Sequence, residues 1–454
     1  MVYSIDDFGD DFHWGVSTAA YQIEGAHNRD GKGPSIWDEF VRHKEKVKDG
    51  STADHSCGHY DHYKTDVSIM NLLGIPNYRF SLAWSRIFPE GIGAVNQKGV
   101  DFYDRLIDEC LENDITPWTT LYHWDLPLVL EQKGGWTNRE ILSWFEEYVT
   151  FCAQRFGDRV SHWMVMNEPM VFTGAGYFLA YHAPGKKGLN NFLPAMHHAT
   201  LCQSLGGRVL RNELPTAKVG TTFSCSHIDP FTDSDQDVQT AIKFDALLNR
   251  LFIEPVLGLG YPVKDLPMAQ RVEAYVKADD EGFMPFDFDF IGLQNYTREV
   301  VKYSWLIPYM KGQIVDADKR KVPITTMNWE IYPKSIYNVL KKFGAYTNVP
   351  QLIITENGAA FTDVVHNDQV KDPDRIYFLQ GYLNEVLKAK KEGVDVGGYF
   401  IWTLLDNFEW AEGFTQRFGI VHTDYKTQNR VIKDSGYWYS RFLKSAKVRH
   451  LVEG

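Results

Sequence analysis

The stretch Met164-Val165-Met166-Asn167-Glu168-Pro169 decides how this chain is read. The run from Trp163 to Met166 is apolar, free of charge, and carries aromatic and β-branched side chains, which suits a buried strand. It breaks abruptly into an amide, a carboxylate and a proline. Pro169 disfavours the right-handed α region at Glu168, so an extended backbone is expected through the acid before the chain turns. A carboxylate at the mouth of a buried strand can cap the next turn or pair with an arginine, and Asn-Glu-Pro alone does not choose between these and chemistry. A second stretch of the same construction does. Leu352-Ile353-Ile354-Thr355-Glu356-Asn357-Gly358 is again an apolar run that delivers a glutamate, here followed by the turn signal Asn-Gly. Two strand-end glutamates fit glycoside hydrolysis, in which one carboxyl is the proton donor and the other the nucleophile or base.

Working outward, strand-like apolar runs followed by helical patterns recur along the whole chain. The runs are Phe12–Ser17, Tyr78–Ser81, Thr116–Tyr122, Trp163–Asn167, Val219–Ser224, Phe290–Gln294, Leu352–Glu356 and Tyr399–Thr403. Between them, Lys98–Asn113 and Asp374–Glu392 place apolar residues at three- and four-residue spacing. Alternating strand and helix implies a parallel sheet, and eight such units imply a closed (β/α)8 barrel, the TIM barrel. An open doubly wound sheet would need a glycine-rich phosphate turn after its first strand, and Gly15-Val16-Ser17-Thr18-Ala19-Ala20 is not one. No linker-like stretch or short repeat interrupts the pattern. Residues 1–454 are therefore expected to form a single α/β domain with long βα loops.

Composition narrows the function. Of 454 residues, 44% are hydrophobic and 14% aromatic, enough for a large core with aromatic faces left over for a sugar cleft. The formal net charge of −12 and the lack of any basic run exclude nucleic acid as a partner. No apolar run approaches the roughly 18 residues a membrane span requires. The acidic start Met1-Val2-Tyr3-Ser4-Ile5-Asp6-Asp7 does not read as a signal peptide. Five scattered cysteines without CxxC spacing read as reduced thiols, and a cytoplasmic location is expected.

In a barrel of this kind the active site lies where the strands end. The exits carry Gln22, Arg79, His123-Trp124-Asp125, Asn167-Glu168, Ser224, Asn295-Tyr296, Glu356 and Trp402. Most are hydrogen-bonding or aromatic residues directly after apolar runs, more than scattered core polarity supplies.

At this point the chain resembles glycoside hydrolase family one, the β-glucosidase family, from about Phe8 to Leu443. The stretch from Phe12-His13-Trp14-Gly15 to Gln22-Ile23-Glu24-Gly25 carries the resemblance, as does Thr120-Leu121-Tyr122-His123-Trp124-Asp125-Leu126-Pro127. Asn167-Glu168-Pro169 and Thr355-Glu356-Asn357-Gly358 match its two catalytic signatures, and Asp406-Asn407-Phe408-Glu409-Trp410 with Arg417-Phe418-Gly419 complete the set. The resemblance implies Glu356 as nucleophile and Glu168 as acid. Arg79 would sit beside Glu356 and keep it ionised, with Tyr296 hydrogen-bonding the nucleophile and Asn295 in support. Asn167 would hold the sugar 2-hydroxyl. Gln22, His123, Glu409 and Trp410 would bind the other hydroxyls, Trp402 would lie under the ring, and Trp329 would stack the leaving sugar at the entrance.

Other features carry less. Asp54, His55, His59, Asp61 and His62 are metal-ligand types, but they run into a helix-like Asp61–Leu73 without zinc-ligand spacing, so no metal and no cofactor is expected. His197-His198 and Gly206-Gly207 stand equally alone. Met166 departs from the family pattern tolerably. Ser224 stands where asparagine is common, which bears on a contact supporting Tyr296 or the site wall rather than on the catalytic pair. The expected activity is hydrolysis, with retention, of terminal β-glucosyl residues, related galactosyl or fucosyl residues included, from small β-glycosides or cello-oligosaccharides of the kind released in cellulose degradation. A transglycosidase, a 6-phospho-β-glycosidase and a non-catalytic sugar-binding relative are the alternatives. The 6-phospho reading is weakened by Glu409 and Glu412, which would repel a phosphate dianion.

Overall fold

Eight parallel strands hydrogen-bond side by side until the last meets the first. They are β1 (His13–Ser17), β2 (Asn77–Ser81), β3 (Thr116–Tyr122), β4 (His162–Asn167), β5 (Lys218–Ser224), β6 (Phe290–Gln294), β7 (Gln351–Asn357) and β8 (Val396–Trp402). Closure is made by β1 on β8, with His13 opposite Gly398 and Ser17 opposite Trp402. The structure is a computed structural model and describes residues 3–445. Each strand lies within a few residues of its apolar run in the sequence.

Each strand is followed by a helix before the chain reaches the next or ends. These helices are α1 (His59–Leu73), α2 (Gln97–Glu112), α3 (Ile141–Phe156), α4 (Leu189–Glu213), α5 (Asp235–Asp245), α6 (Lys334–Gly344), α7 (Pro373–Lys391) and α8 (Asp434–Leu443). Helix α2 buries Val100, Phe102, Tyr103, Leu106, Ile107 and Cys110, the stripe that a period near 3.6 dictates. Helix α7 begins on Pro373 at its first turn, where the missing N–H costs nothing. The paired glycines of α4 serve packing. A side chain at Gly206 would run into Val165 of β4, and one at Gly207 into the Phe286 ring.

One region differs from expectation. The segment from Lys302 to Trp329, in one of the long βα connections expected to be loops, holds structure of its own. Arg298–Tyr303 pairs with His227–Pro230 and with Gly312–Ile314 in a three-stranded sheet outside the barrel, followed by the short helix Ala317–Arg320. Lys302, Gln313 and the neighbouring polar residues hide this strand pairing in the sequence, because they alternate too weakly to give a period-two signal.

The barrel interior is closed beneath the site by Trp118, Met164, Phe290, Ile353 and Phe400, all buried and in mutual contact. Glycines make room for them, since a Cβ at Gly15 would strike the Phe400 ring and one at Gly220 the Phe290 ring. This plug is the floor on which the strand-end residues stand. Phe290→Ala should therefore cost about 3–5 kcal/mol of stability through lost burial and a cavity. The fall in thermal midpoint measures it, and an unchanged midpoint would mean that the plug does not support the barrel.

Candidate active site

The upper ends of the strands enclose a cleft of about 470 Å³. At its bottom Arg79, from β2 and fully buried, donates from one guanidinium nitrogen to Oε1 of Glu356 and from another to Oδ1 of Asn167 at 2.5 Å. A charge taken out of water needs such partners. Arg79 Nε completes the set against Met164 Sδ at 3.2 Å. Tyr296 Oη donates to the second oxygen of Glu356 at 2.5 Å. The nucleophile candidate thus has donors on both oxygens.

Glu168 enters from β4 in a different way. Its backbone is left-handed, with φ 45° and ψ 64°, and not extended as expected from Pro169. Proline rules out the right-handed region without selecting the extended one. The left-handed alternative lets β4 turn at once into the short helix Pro169–Thr173 while Glu168 N–H donates to Thr222 O at 3.0 Å. Trp124 and Trp410 are also left-handed, with φ 82° and 49°. A cluster of such residues around one cleft fits the tendency of functional sites to hold backbone strain.

The two carboxyls differ electrostatically. Burial pushes Glu168 well above the usual carboxyl range, and the charge of Glu356 pushes it further against the opposing Ser224 hydroxyl. Burial also raises Glu356, and here Arg79 and Tyr296 pull it back. The sequence reading anticipated Arg79 but not that burial would outweigh it. Of the two, Glu356 therefore ionises first. Ser224 lines the cleft wall, one of the two places expected for it, and, contrary to expectation, it also bears on Glu168, one of the pair.

The remaining predicted residues fall into three places. Deep in the cleft, Asn167 Nδ2 meets Nε2 of His123 at 3.0 Å. Burial and the Arg79 charge hold that histidine neutral, well below its ordinary pKa. Along one wall, Trp402, Trp410 and His123 lie with rings tilted by less than 30° to one another across His123, and Glu409 stands beside them, pushed up to about 8 by burial and by Glu356. Gln22 lies behind Glu409, donating to Glu409 Oε2 at 3.2 Å and to Phe408 O at 3.0 Å. At the mouth, Trp329 packs on Tyr296 with ring centroids 5.3 Å apart. Asn295 turns away from the cleft. Its Nδ2 donates to Cys225 O and Ser335 Oγ, and its backbone carbonyl accepts from Asn357 Nδ2 at 2.6 Å, tying together the strand tops that carry Tyr296 and Glu356.

Two contributors were given no role in the sequence reading, although Trp124 stood among the strand exits. Trp124 Nε1 donates to Asn167 O at 2.9 Å. Gln294, the last residue of β6, donates to Asn167 Oδ1 at 2.6 Å and to Glu356 Oε1 at 2.9 Å. Its place at a strand end was the available signal, passed over for the Asn295-Tyr296 that follows.

Three of the five residues of metal-ligand type, Asp54, His59 and Asp61, are spent on ion pairs. His59 and Arg430 both bind Asp66, Arg42 binds Asp54, and Arg29 binds Asp61. His197 lies between Asp280 and Tyr261 Oη, and His198 faces Trp136 O. Among the described residues no group of three or more His, Cys, Asp or Glu is arranged to hold a metal ion. Among them, too, no helix is long and apolar enough to cross a membrane.

Comparison with known proteins agrees with this geometry. Residues 4–448 match the sequence profile described as Glycosyl hydrolase family 1. The chain is 44% identical over 445 residues to beta-glucosidase A of Thermotoga maritima, covering 97% of this chain and 99% of that protein. It is 42% identical to beta-glucosidase A of Acetivibrio thermocellus, covering 96% and 98%. A solved structure of the Thermotoga maritima family 1 glycoside hydrolase with a cyclophellitol analogue transition-state mimic superposes with a TM-score of 0.93 at 44% identity, covering 96% of this chain and 98% of that one. With the paired glutamates, the barrel and these relatives in agreement, the chain belongs to glycosyl hydrolase family 1.

Proposed function

We propose that the chain is a retaining β-glucosidase, a single barrel domain that releases terminal β-glucosyl residues from small β-glycosides and cello-oligosaccharides. The observation that carries this is the asymmetry of the two buried glutamates facing one cleft. Glu356 has a guanidinium and a phenol on its oxygens, whereas burial and the charge of Glu356 push Glu168 upward against the weaker pull of Ser224 and Arg79. The first is equipped to attack the anomeric carbon as a carboxylate, the second to protonate the departing oxygen.

In the first step Glu356 displaces the aglycone as Glu168 gives up its proton, leaving a glycosyl ester on Glu356. Esterification removes the charge that held the Glu168 proton in place, so Glu168 can then take a proton from the incoming water. Asn167 Nδ2 is the group placed to donate to the 2-hydroxyl, since its Oδ1 is already occupied by Arg79, Gln294 and Thr222. Gln22, His123, Glu409 and Trp410 bind the other hydroxyls, and Trp402 stacks beneath the ring.

The cleft chemistry disfavours a 6-phospho substrate. Among the described residues that line it are five carboxyl side chains, those of Glu168, Glu299, Glu356, Glu409 and Glu412, and no lysine or arginine, Arg79 being fully buried beneath the lining and engaged by Glu356 and Asn167. Both glutamates are present, which speaks against a non-catalytic relative. A cytoplasmic setting is supported by five buried free thiols.

The roles are tested by exchange of nucleophile. Glu356→Ala should lose several orders of magnitude in kcat and be rescued by azide to give the α-glycosyl azide. Glu168→Ala should keep its first step on activated leaving groups and yield the β-azide. Opposite anomers would reverse the two roles.

The pH profile of kcat/KM follows from the two raised carboxyls. The rate needs Glu356 ionised and Glu168 protonated, so it rises through the first titration and falls through the second. With both displaced upward, the bell should stand above the ordinary glutamate range of about 4.3, its limbs belonging to the coupled pair. A profile flat up to alkaline pH would contradict this assignment.

At the entrance, Trp329→Ala should weaken kcat/KM on cellobiose roughly tenfold through lost stacking, and far less on a nitrophenyl glucoside with its activated leaving group. Equal losses on both would remove Trp329 from the acceptor side.

A further inference from the structure

The catalytic cleft continues past Trp329. Thr297, Glu299, Met327 and Trp329 line both the cleft and a further cavity of about 340 Å³, whose outer rim carries the exposed Asp316 and Asp318. A leaving group that passes the indole of Trp329 enters this second cavity, and Glu299 stands where the two meet. The charged groups around it are unevenly matched. Arg298 is taken up by Asp229 at 2.8 Å and by both oxygens of Glu330 at 2.9 Å. Arg320 donates to Glu330 at 2.5 Å and to Val315 O at 3.1 Å. On the adjoining strand His227 lies 3.1 Å from Asp229, and Asp316 is bound by Lys319. Glu299 is different. Among the described residues no hydrogen bond reaches its carboxyl, and burial, with the charges of Asp316 and Glu330, raises it to about 7 against the pull of Arg320. The side chain is nevertheless only partly covered and keeps a surface towards both cavities. The other carboxyls of the cleft are engaged. Glu168 and Glu356 carry the proposed chemistry, Glu409 accepts from Gln22 at 3.2 Å, and Glu412 accepts from Lys48 at 2.7 Å.

We infer that the second cavity is a binding site for a positively charged leaving group, in which the Glu299 carboxylate faces a protonated amine on the aglycone or on a second sugar. A carboxylate partly removed from water and left without a donor is costly. An ammonium group supplies both the counter-charge and three N–H donors, whereas a hydroxyl supplies one donor and no charge. Among the described residues lining the two cavities, the cations are Arg298 and Arg320, and both are already paired. An anionic leaving group would therefore meet uncompensated like charge. Trp329, which lines both cavities, adds an aromatic face that attracts a cation. Glu299 comes from the outer sheet, where it pairs with Ile228, and not from a barrel strand. Charge selection is thus placed on the part of the molecule that does not carry the catalytic pair.

The inference rests on the β-glucosidase reading and is tested separately from it. The substrates are butyl, hexyl and octyl β-glucosides whose chains end in hydroxyl, ammonium or carboxylate. At about pH 8, kcat/KM at the best chain length should be roughly tenfold higher for ammonium than for hydroxyl, and lower again for carboxylate. Taking the ratio of ammonium to hydroxyl cancels the titration of Glu168 and Glu356, which both substrates share. The ratio should climb as pH rises through about 7, where Glu299 loses its proton while the ammonium keeps its own. In Glu299→Gln the ratio should fall to near one and lose its dependence on pH. A ratio near one in the parent enzyme at every chain length would overturn the site, leaving Glu299 at most an acceptor for hydroxyls. A pH-dependent ratio that persists in Glu299→Gln would take the role from Glu299 and give it to Glu409 or Glu412. Should Glu299→Gln fail to fold, the ratio and its pH dependence in the parent enzyme still decide between a charge-selective site and none. Failure to hydrolyse any of these glucosides or a nitrophenyl β-glucoside would instead remove the β-glucosidase reading itself.

Discussion

The site is built around one buried cation. Arg79 is shielded from solvent at the bottom of the cleft, and its guanidinium is shared between the carboxylate of Glu356 and the amide oxygen of Asn167. Removing a guanidinium from water is tolerable only where several acceptors replace the lost hydration. Here β2 supplies the cation, β4 the amide and β7 the carboxylate, so the barrel must close in one register for the charge to be satisfied. The same contacts fix the oxygen of Glu356 and orient the Asn167 amide. Burying this cation and preorganising the nucleophile are one arrangement.

A second set of buried charges holds the wall opposite. Asp406 accepts from Lys433 and Arg417, each at 2.7 Å, and from Gly419 N–H at 2.9 Å. Lys433 reaches on to Asp363, which is bound in turn by Arg375. These groups fold the loop after β8 back on itself and so present Glu409 and Trp410 to the cleft. Trp410 then packs on Trp124 at 4.6 Å and on Trp37 at 4.7 Å, while Trp124 reaches the Asn167 carbonyl. The wall proposed to bind the sugar is thus anchored by ion pairs from behind and joined to the floor of the cleft by an indole. Rigidity at both ends suits a site whose stabilisation must be in place before charge develops.

The outer half of the cleft is made differently. Trp329 and Met327 come from the segment before α6 that the small outer sheet supports, and Glu299 from that sheet itself, raised to about 7 by burial. A second cavity of about 340 Å³ shares Thr297, Glu299, Met327 and Trp329 with the catalytic cleft. Under the proposed function, the glycosyl unit meets barrel strands deep in the cleft and the leaving group meets these loop-borne residues. This division lets one barrel keep its chemistry while the aglycone side varies.

Much of this was legible in the sequence. Strands buried on both faces leave long apolar runs, and a barrel that binds at its strand ends must place polar residues where those runs stop. Arg79, Asn167, Glu168, Tyr296 and Glu356 were readable for that reason. What the sequence did not disclose depends on contacts between strands distant in the chain. Pro169 excluded one backbone region at Glu168, but the left-handed turn was chosen by the path from β4 into the next helix. Ser224 bears on Glu168 because β5 lies beside β4 in the barrel. Gln294 has no motif of its own. Its role arises where β4, β6 and β7 converge, leaving two acceptors that need one shared donor. Residue types and their order along the chain decided the fold and the two glutamates. Only closure of the barrel decided which acid is more strongly held in its protonated form, because burial and charge depend on distances that the sequence does not contain.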